Sequence, residues 1–225
     1  QELILESYLK RKNYGAAIQV LNEYPKSQFR GIRQKAFFLK AVSLYNRELY
    51  KESINYFEQS LENNNNSKNY ADSKYWISRA LFEVGQFEKS LKIMLELKMD
   101  IKLVSELDNE NFIDYDIAYN YLKLSKHELA ISTFNESLTS SFSDEYRYDV
   151  YLRIADSYFI LKSYSSAIEN YKRAIKLNDE STYPYFQIAQ SLGLLERPLE
   201  KINQLKEIIE SFPRSPILDD CYFEL

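Results

Sequence analysis

Apolar residues recur along this chain at the i, i+3, i+4 and i+7 spacing that lines one face of an α-helix. The clearest stretch puts Tyr151, Ile154, Ala155 and Tyr158 on one face, passes a short polar turn at Leu161-Lys162-Ser163, and continues with Ala167, Tyr171 and Ala174 on another. Alternating large and small residues predict two antiparallel helices that pack too closely for a large side chain at the small positions. The frame slides along the sequence. Downstream it gives Tyr185, Ile188, Ala189 and Leu192, then Lys201, Leu205, Ile208 and Pro213, with Ala189 lying 34 residues after Ala155. Upstream it gives Ile117, Ala118, Tyr121, Ala130, Phe134 and Ser137; then Ile77, Ser78, Leu81, Ser90, Met94 and Leu97; then Phe37, Ala41, Leu44, Ser53, Phe57 and Ser60; and finally Ile4, Leu5, Tyr8, Ala17 and Leu21.

A large residue, an aliphatic–small pair and a tyrosine, followed by small, aromatic and small residues, resembles the tetratricopeptide repeat. The resemblance implies an all-α fold, a right-handed α-solenoid of antiparallel helix pairs with about six repeats and the start of a seventh. The units fall near residues 1–28, 34–66, 71–98, 111–142, 148–179 and 182–213, with a partial unit at 216–225. An aromatic closes four of the turns, at Tyr14, Tyr50, Phe87 and Tyr164. The pattern has departures: Lys40 takes an aliphatic slot, Lys201 a small one, and Pro198 replaces the turn aromatic, where only the first helical position tolerates it. Insertions fall at the polar run Asn63 to Asn66, read as a solvated loop, and at Met99 to Glu110, long enough for an extra helical turn.

Neither end reads as a polar cap, so the chain is expected to be part of a longer repeat protein. Ser215 and Pro216 read as the N-cap and first position of a further helix, with Asp219 and Asp220 in its first turn. The junctions Phe212-Pro213-Arg214-Ser215-Pro216 and Tyr24-Pro25-Lys26-Ser27 resemble those of bacterial cell-envelope tetratricopeptide proteins, of the Tol-Pal coordinator and outer-membrane assembly lipoprotein type. That resemblance tilts the expected location towards a periplasm or outer-membrane periphery.

Composition narrows the chemistry. Only 4 glycines and 5 prolines in 225 residues argue against turn-rich sheets. No apolar run approaches the roughly 20 residues that cross a bilayer. A net charge of -4 disfavours nucleic acid as a partner, although residues 1–60 carry 10 Lys/Arg against 6 Asp/Glu. Within that end, Lys10, Arg11, Lys12, Arg30, Arg33 and Lys35 form a basic cluster, read as an exposed face or as a patch for an acidic partner. One histidine, one cysteine and no phosphate-loop or metal-ligand motif leave no catalytic constellation, so no enzyme activity, cofactor or metal is expected. His127 occupies a turn-aromatic slot and reads as a packing residue, as does Cys221. The acidic pairs Asp179-Glu180 and Asp219-Asp220 supply too few oxygens for a calcium loop and suit helix starts.

In the tetratricopeptide family the first helix of each unit lines the concave side. Carried over by position, the frame selects Phe38, Val42 and Tyr45; Tyr75, Arg79 and Phe82; Tyr115, Tyr119 and Leu122; Leu152, Asp156 and Phe159; and Phe186 and Gln190. These side chains are expected to be solvent-exposed and unusually aromatic, as binding surfaces tend to be. The lysine–asparagine set that clamps a terminal carboxylate in some relatives is missing. The resulting expectation is a scaffold that binds a protein or peptide partner through an aromatic groove; the alternative is a rigid spacer within a larger multidomain envelope protein.

Overall fold

The computed structural model describes residues 1–63, 66–138 and 142–225, which form two compact units, 1–120 and 121–225. Asn64 and Asn65 of the asparagine run, and Thr139 to Ser141 within the expected 111–142 unit, lie outside the described residues. Among the described residues the secondary structure is entirely helical.

Unit 1 contains α1 (Glu2–Lys10), α2 (Tyr14–Asn22), α3 (Arg30–Tyr45), α4 (Tyr50–Glu62), α5 (Ser67–Glu83), α6 (Phe87–Met99), the single turn α7 (Ile101–Val104) and most of α8 (Ile113–Lys123). The extra turn expected between Met99 and Glu110 is α7, followed by a 3-10 turn at Glu110–Phe112. Unit 2 contains α9 (His127–Ser137), α10 (Asp144–Ile160), α11 (Tyr164–Ile175), α12 (Thr182–Leu194), α13 (Pro198–Ser211) and α14 (Leu218–Glu224).

The small residues of the frame lie where successive helices meet. Ala17, Ala41, Ala118, Ala130, Ala155, Ala167 and Ala189 are completely buried. Where the small residue is serine its hydroxyl is bonded: Ser78 Oγ donates to the Ser90 carbonyl at 2.9 Å, and Ser73 Oγ to Ser60 Oγ at 3.1 Å. Buried hydroxyls without partners would cost more than the packing returns. The two lysine departures are accommodated rather than buried. Lys40 lies over the Tyr56 ring, 5.9 Å from its centroid. Lys201 runs past Gly193, where an added Cβ would stand 3.2 Å from its Cδ, and ends in an ion pair with Glu224.

Six turns share one geometry. The residue two before each second helix adopts positive φ: Lys12, Glu48, Gly85, Ser125, Lys162 and Glu196. In the turn at Glu48, Leu49 N–H bonds the Leu44 carbonyl and Glu48 N–H that of Tyr45, a Schellman closure that satisfies two end carbonyls. Left-handed backbone costs a residue with a Cβ about 1 kcal/mol, so five of the six turns carry strain that Gly85 avoids. A Cβ added at Gly85 would meet only open space, so the requirement for glycine there is one of backbone alone. Glu48→Gly is therefore expected to raise stability by about 0.5–1 kcal/mol, and Gly85→Ala to lower it by about 1 kcal/mol, in urea denaturation.

Three expectations are corrected. The last helix starts at Leu218, not Pro216, because Ser215 closes a tight turn, its carbonyl accepting from Leu218 N–H and its Oγ from Ile217 N–H at 3.4 Å. Asn63 and Asn66 of the asparagine run are not simply solvated. Asn63 is buried and donates through Nδ2 to the Gln59 carbonyl, and Asn66 caps α5 by accepting from Asn69 N–H at 2.9 Å. Arg33 leaves the basic cluster: it is buried and its Nη2 donates to the Leu21 carbonyl in the last turn of α2 and to the Tyr24 carbonyl just beyond it. Pro198 does occupy the first position of α13, and Cys221 is fully buried with Ala189, Leu205 and Ile208. Burial pushes its thiol up, away from reactivity.

Candidate binding site

Of the fourteen side chains selected by the frame, Tyr75 and Leu152 are buried, at 1% and 7% exposure, which corrects the expectation of an open row. Phe38, Val42, Tyr45, Arg79, Phe82, Tyr115, Tyr119, Leu122, Asp156, Phe159, Phe186 and Gln190 are half-buried. The reason is mutual packing. Tyr45 meets Tyr50 edge to face at 5.1 Å, Phe82 meets Phe87 at 5.2 Å and Phe159 meets Tyr164 at 5.5 Å. Each is a first-helix residue set against the turn aromatic five positions on, and this gives the turn aromatics their function: they prop the half-buried rings in fixed orientations. His127, first in α9, fills the same slot, half-buried, and its Nδ1 has no hydrogen-bond partner.

In unit 1 these residues enclose a cleft of about 200 Å³ between α5, α6 and α8. Phe82, Tyr115 and Tyr119 contribute rings, with Phe82 and Tyr119 edge to face at 6.5 Å and Tyr115 and Tyr119 tilted against each other at 4.9 Å. Ser78, Ser90 and Met94 lie in the lining, as do Arg79, Glu83, Asp116 and Asn120. Helical spacing explains the convergence: Ser78, Arg79 and Phe82 are neighbours on α5, and Tyr115, Asp116, Tyr119 and Asn120 neighbours on α8.

One polar cluster ties the cleft together. Tyr75 donates to Asp116 Oδ2 at 2.9 Å, Arg79 Nη1 donates to the Tyr75 hydroxyl at 3.3 Å, and Arg79 stands 3.7 Å from Asp116 Oδ1. The guanidinium also lies over the rings of Tyr75 and Trp76, at 6.0 and 5.9 Å. Burial opposes its charge, but Asp116 and the Tyr75 hydroxyl more than offset this, so Arg79 stays charged. Asp116 is raised above the ordinary carboxylate range because burial outweighs the attraction of Arg79 and the bond from Tyr75. The native state therefore holds this proton more tightly than the unfolded chain. Its contribution to stability is greatest below the ordinary carboxylate range and falls as pH rises through the raised value. Asp116→Asn keeps an acceptor for Tyr75. In urea denaturation at about pH 4 to about pH 7, the variant is expected to gain on the wild type steadily as pH rises.

Unit 2 repeats the device with different connections. Asp156 accepts from Tyr171 and Tyr183, both at 2.8 Å, and from Arg153 at 3.0 Å, so its carboxylate is already occupied. Phe186 packs on the cluster around Ala189, and Gln190 lies beside Glu224.

The positional frame missed Trp76, Glu83, Asp116 and Asn120. Asp116 and Asn120 were legible only as an i, i+4 pair on α8; nothing in the sequence links them to Tyr75 and Arg79. Among the described residues no three His, Cys, Asp or Glu side chains group as metal ligands, and no helix is long and apolar enough to cross a membrane.

Residues 148–181 match the tetratricopeptide repeat family model. Among curated proteins none matches the chain. Solved structures are similar in fold at low identity. MamA from residue 41 onwards, from Desulfovibrio magneticus RS-1, is 14% identical with a TM-score of 0.64, over 79% of this chain and 94% of that one. MamA of strain AMB-1 is 18% identical with a TM-score of 0.66, over 83% and 96%. The C-terminal part of a TPR repeat-containing protein from Cytophaga hutchinsonii is 15% identical with a TM-score of 0.68, over 93% and 78%.

Proposed function

Because the chain has the fold of a tetratricopeptide-repeat solenoid, we propose that it is an interaction scaffold and that the ring-lined cleft of unit 1 receives a segment of a protein partner. The observation that carries this reading is the set Phe82, Tyr115 and Tyr119: three half-buried rings from two first helices, propped in place and opening into one cleft. Such preorganised aromatics contribute to binding with little entropy left to lose. Tyr75 belongs to the core, so it is a poor test of binding; Phe82 and Tyr119 are the informative positions.

The test uses phage-displayed random peptides selected on the purified chain. Selected peptides are expected to lose at least about tenfold in affinity, about 1.4 kcal/mol, on Phe82→Ala or Tyr119→Ala in fluorescence anisotropy. They are expected to be indifferent to Lys89→Ala with Glu96→Ala on the exposed face of α6. Peptides that bind with equal strength to the ring variants would refute the groove.

A further inference from the structure

Three features of the unit 1 cleft point the same way. The first is size. At about 200 Å³ it is smaller than the roughly 300–1,000 Å³ of small-molecule sites, and suits one inserted side chain.

The second is an unanswered acceptor. Asn120 is 1% exposed, and its Nδ2 donates to the Asp116 carbonyl at 2.9 Å, which leaves Oδ1 in the lining, buried and without a partner. A buried acceptor of this kind calls for an incoming N–H or O–H.

The third is charge. Among the described residues Arg79 is the one cation of the lining, and it is engaged with Asp116 and Tyr75. Glu83 is exposed in the same lining and has no ion-pair partner among the described residues. Its field is felt around it: burial first, and Glu83 in addition, raise the phenols of Tyr45 and Tyr50 and the carboxyl of Asp116. With two carboxylates against one cation, and ring faces carrying negative quadrupoles, the cleft attracts a cation and repels an anion.

We propose that this cleft is an anchor site for one arginine or lysine side chain of the partner, its stem between Phe82, Tyr115 and Tyr119, its head donating to Asn120 Oδ1 and Glu83. The proposal rests on the groove reading above and adds the chemistry of the residue that fills it. A neutral donor would satisfy Asn120 but leave Glu83 unanswered. A carboxylate would face both Glu83 and an amide oxygen, with Arg79 already paired.

The test takes the phage-selected peptides that depend on Tyr119 and replaces each basic residue in turn by citrulline for arginine, or norleucine for lysine. One basic position is expected to stand out, its replacement weakening binding about tenfold. Glu83→Gln, an exposed and conservative change, should weaken the parent peptide by a similar factor. The same variant should leave the replaced peptide unaffected, and affinity of the parent should fall with added salt. Tyr119-dependent peptides that tolerate every such replacement, or that bind Glu83→Gln as well as wild type, would overturn the anchor while leaving the groove intact. Selected peptides that show no dependence on Tyr119 would overturn both.

Discussion

Phe57→Ala is expected to cost about 3–5 kcal/mol of stability in unit 1, the range for removing a fully enclosed aromatic ring. Phe57 has no exposed surface and sits in one cluster with Ala41, Ile77 and Leu81. Its ring meets Phe38 at 5.8 Å, so the deletion reaches one of the half-buried rings as well. Ala41 beside it cannot grow into the space, and the helix crossing it permits cannot tighten further, so most of the cavity should persist. The measurement is built into the chain. Trp76 is its only tryptophan and packs on the same cluster, so its fluorescence during urea denaturation reports this unit. A midpoint shift is the expected outcome, with Phe57→Leu costing much less. An unchanged midpoint would mean that this core does not hold the unit together.

The second large effect is expected at Asp156. Replacement by alanine removes the acceptor shared by Tyr171, Tyr183 and Arg153 and leaves three donors without it. Breaking such a cluster from one side costs about 2–4 kcal/mol, since the remaining polar groups keep their desolvation penalty. Tyr171, 1% exposed, is the donor least able to turn to water. Circular dichroism during urea denaturation measures the loss, and Asp156→Asn, which keeps an acceptor, should lose less. The phenols provide an independent readout. Burial first, and Asp156 with it, hold both Tyr171 and Tyr183 well above the ordinary tyrosine range. In Asp156→Asn both should ionise at lower pH than in the wild type, as followed by tyrosinate absorbance. Unmoved tyrosine titrations would place the cluster's energetics elsewhere.

Asp156 also illustrates where positional reading stops. The frame places it one turn from Phe159 on α10, and so offers it as a contact for a ligand. Its two tyrosine partners lie 15 and 27 residues further on, on α11 and α12, and no local pattern announces that three side chains will converge on one carboxylate. Arg33 failed in the opposite direction. It reads as one of a run of surface cations, whereas the Leu21 and Tyr24 carbonyls around the end of α2 draw it inside. By contrast the burial of Cys221, the place of Pro198 and the extra turn between Met99 and Glu110 are legible in the sequence, because each depends only on local size, backbone demand or length.

The sequence by itself determined the helices, their pairing frame and the small residues at their crossings, because helical periodicity and steric size are written within each short segment. It also marked which residues of the first helices to examine. Only the tertiary structure decided which of those remain accessible, since exposure depends on neighbours from other segments: Phe87 propping Phe82, or Asp116 drawing Tyr75 into the core. The same holds for the charge of the cleft. Arg79 is one groove position among fourteen in the sequence, and becomes a paired cation only when α8 brings Asp116 to its side, leaving Glu83 and the Asn120 oxygen to face whatever enters.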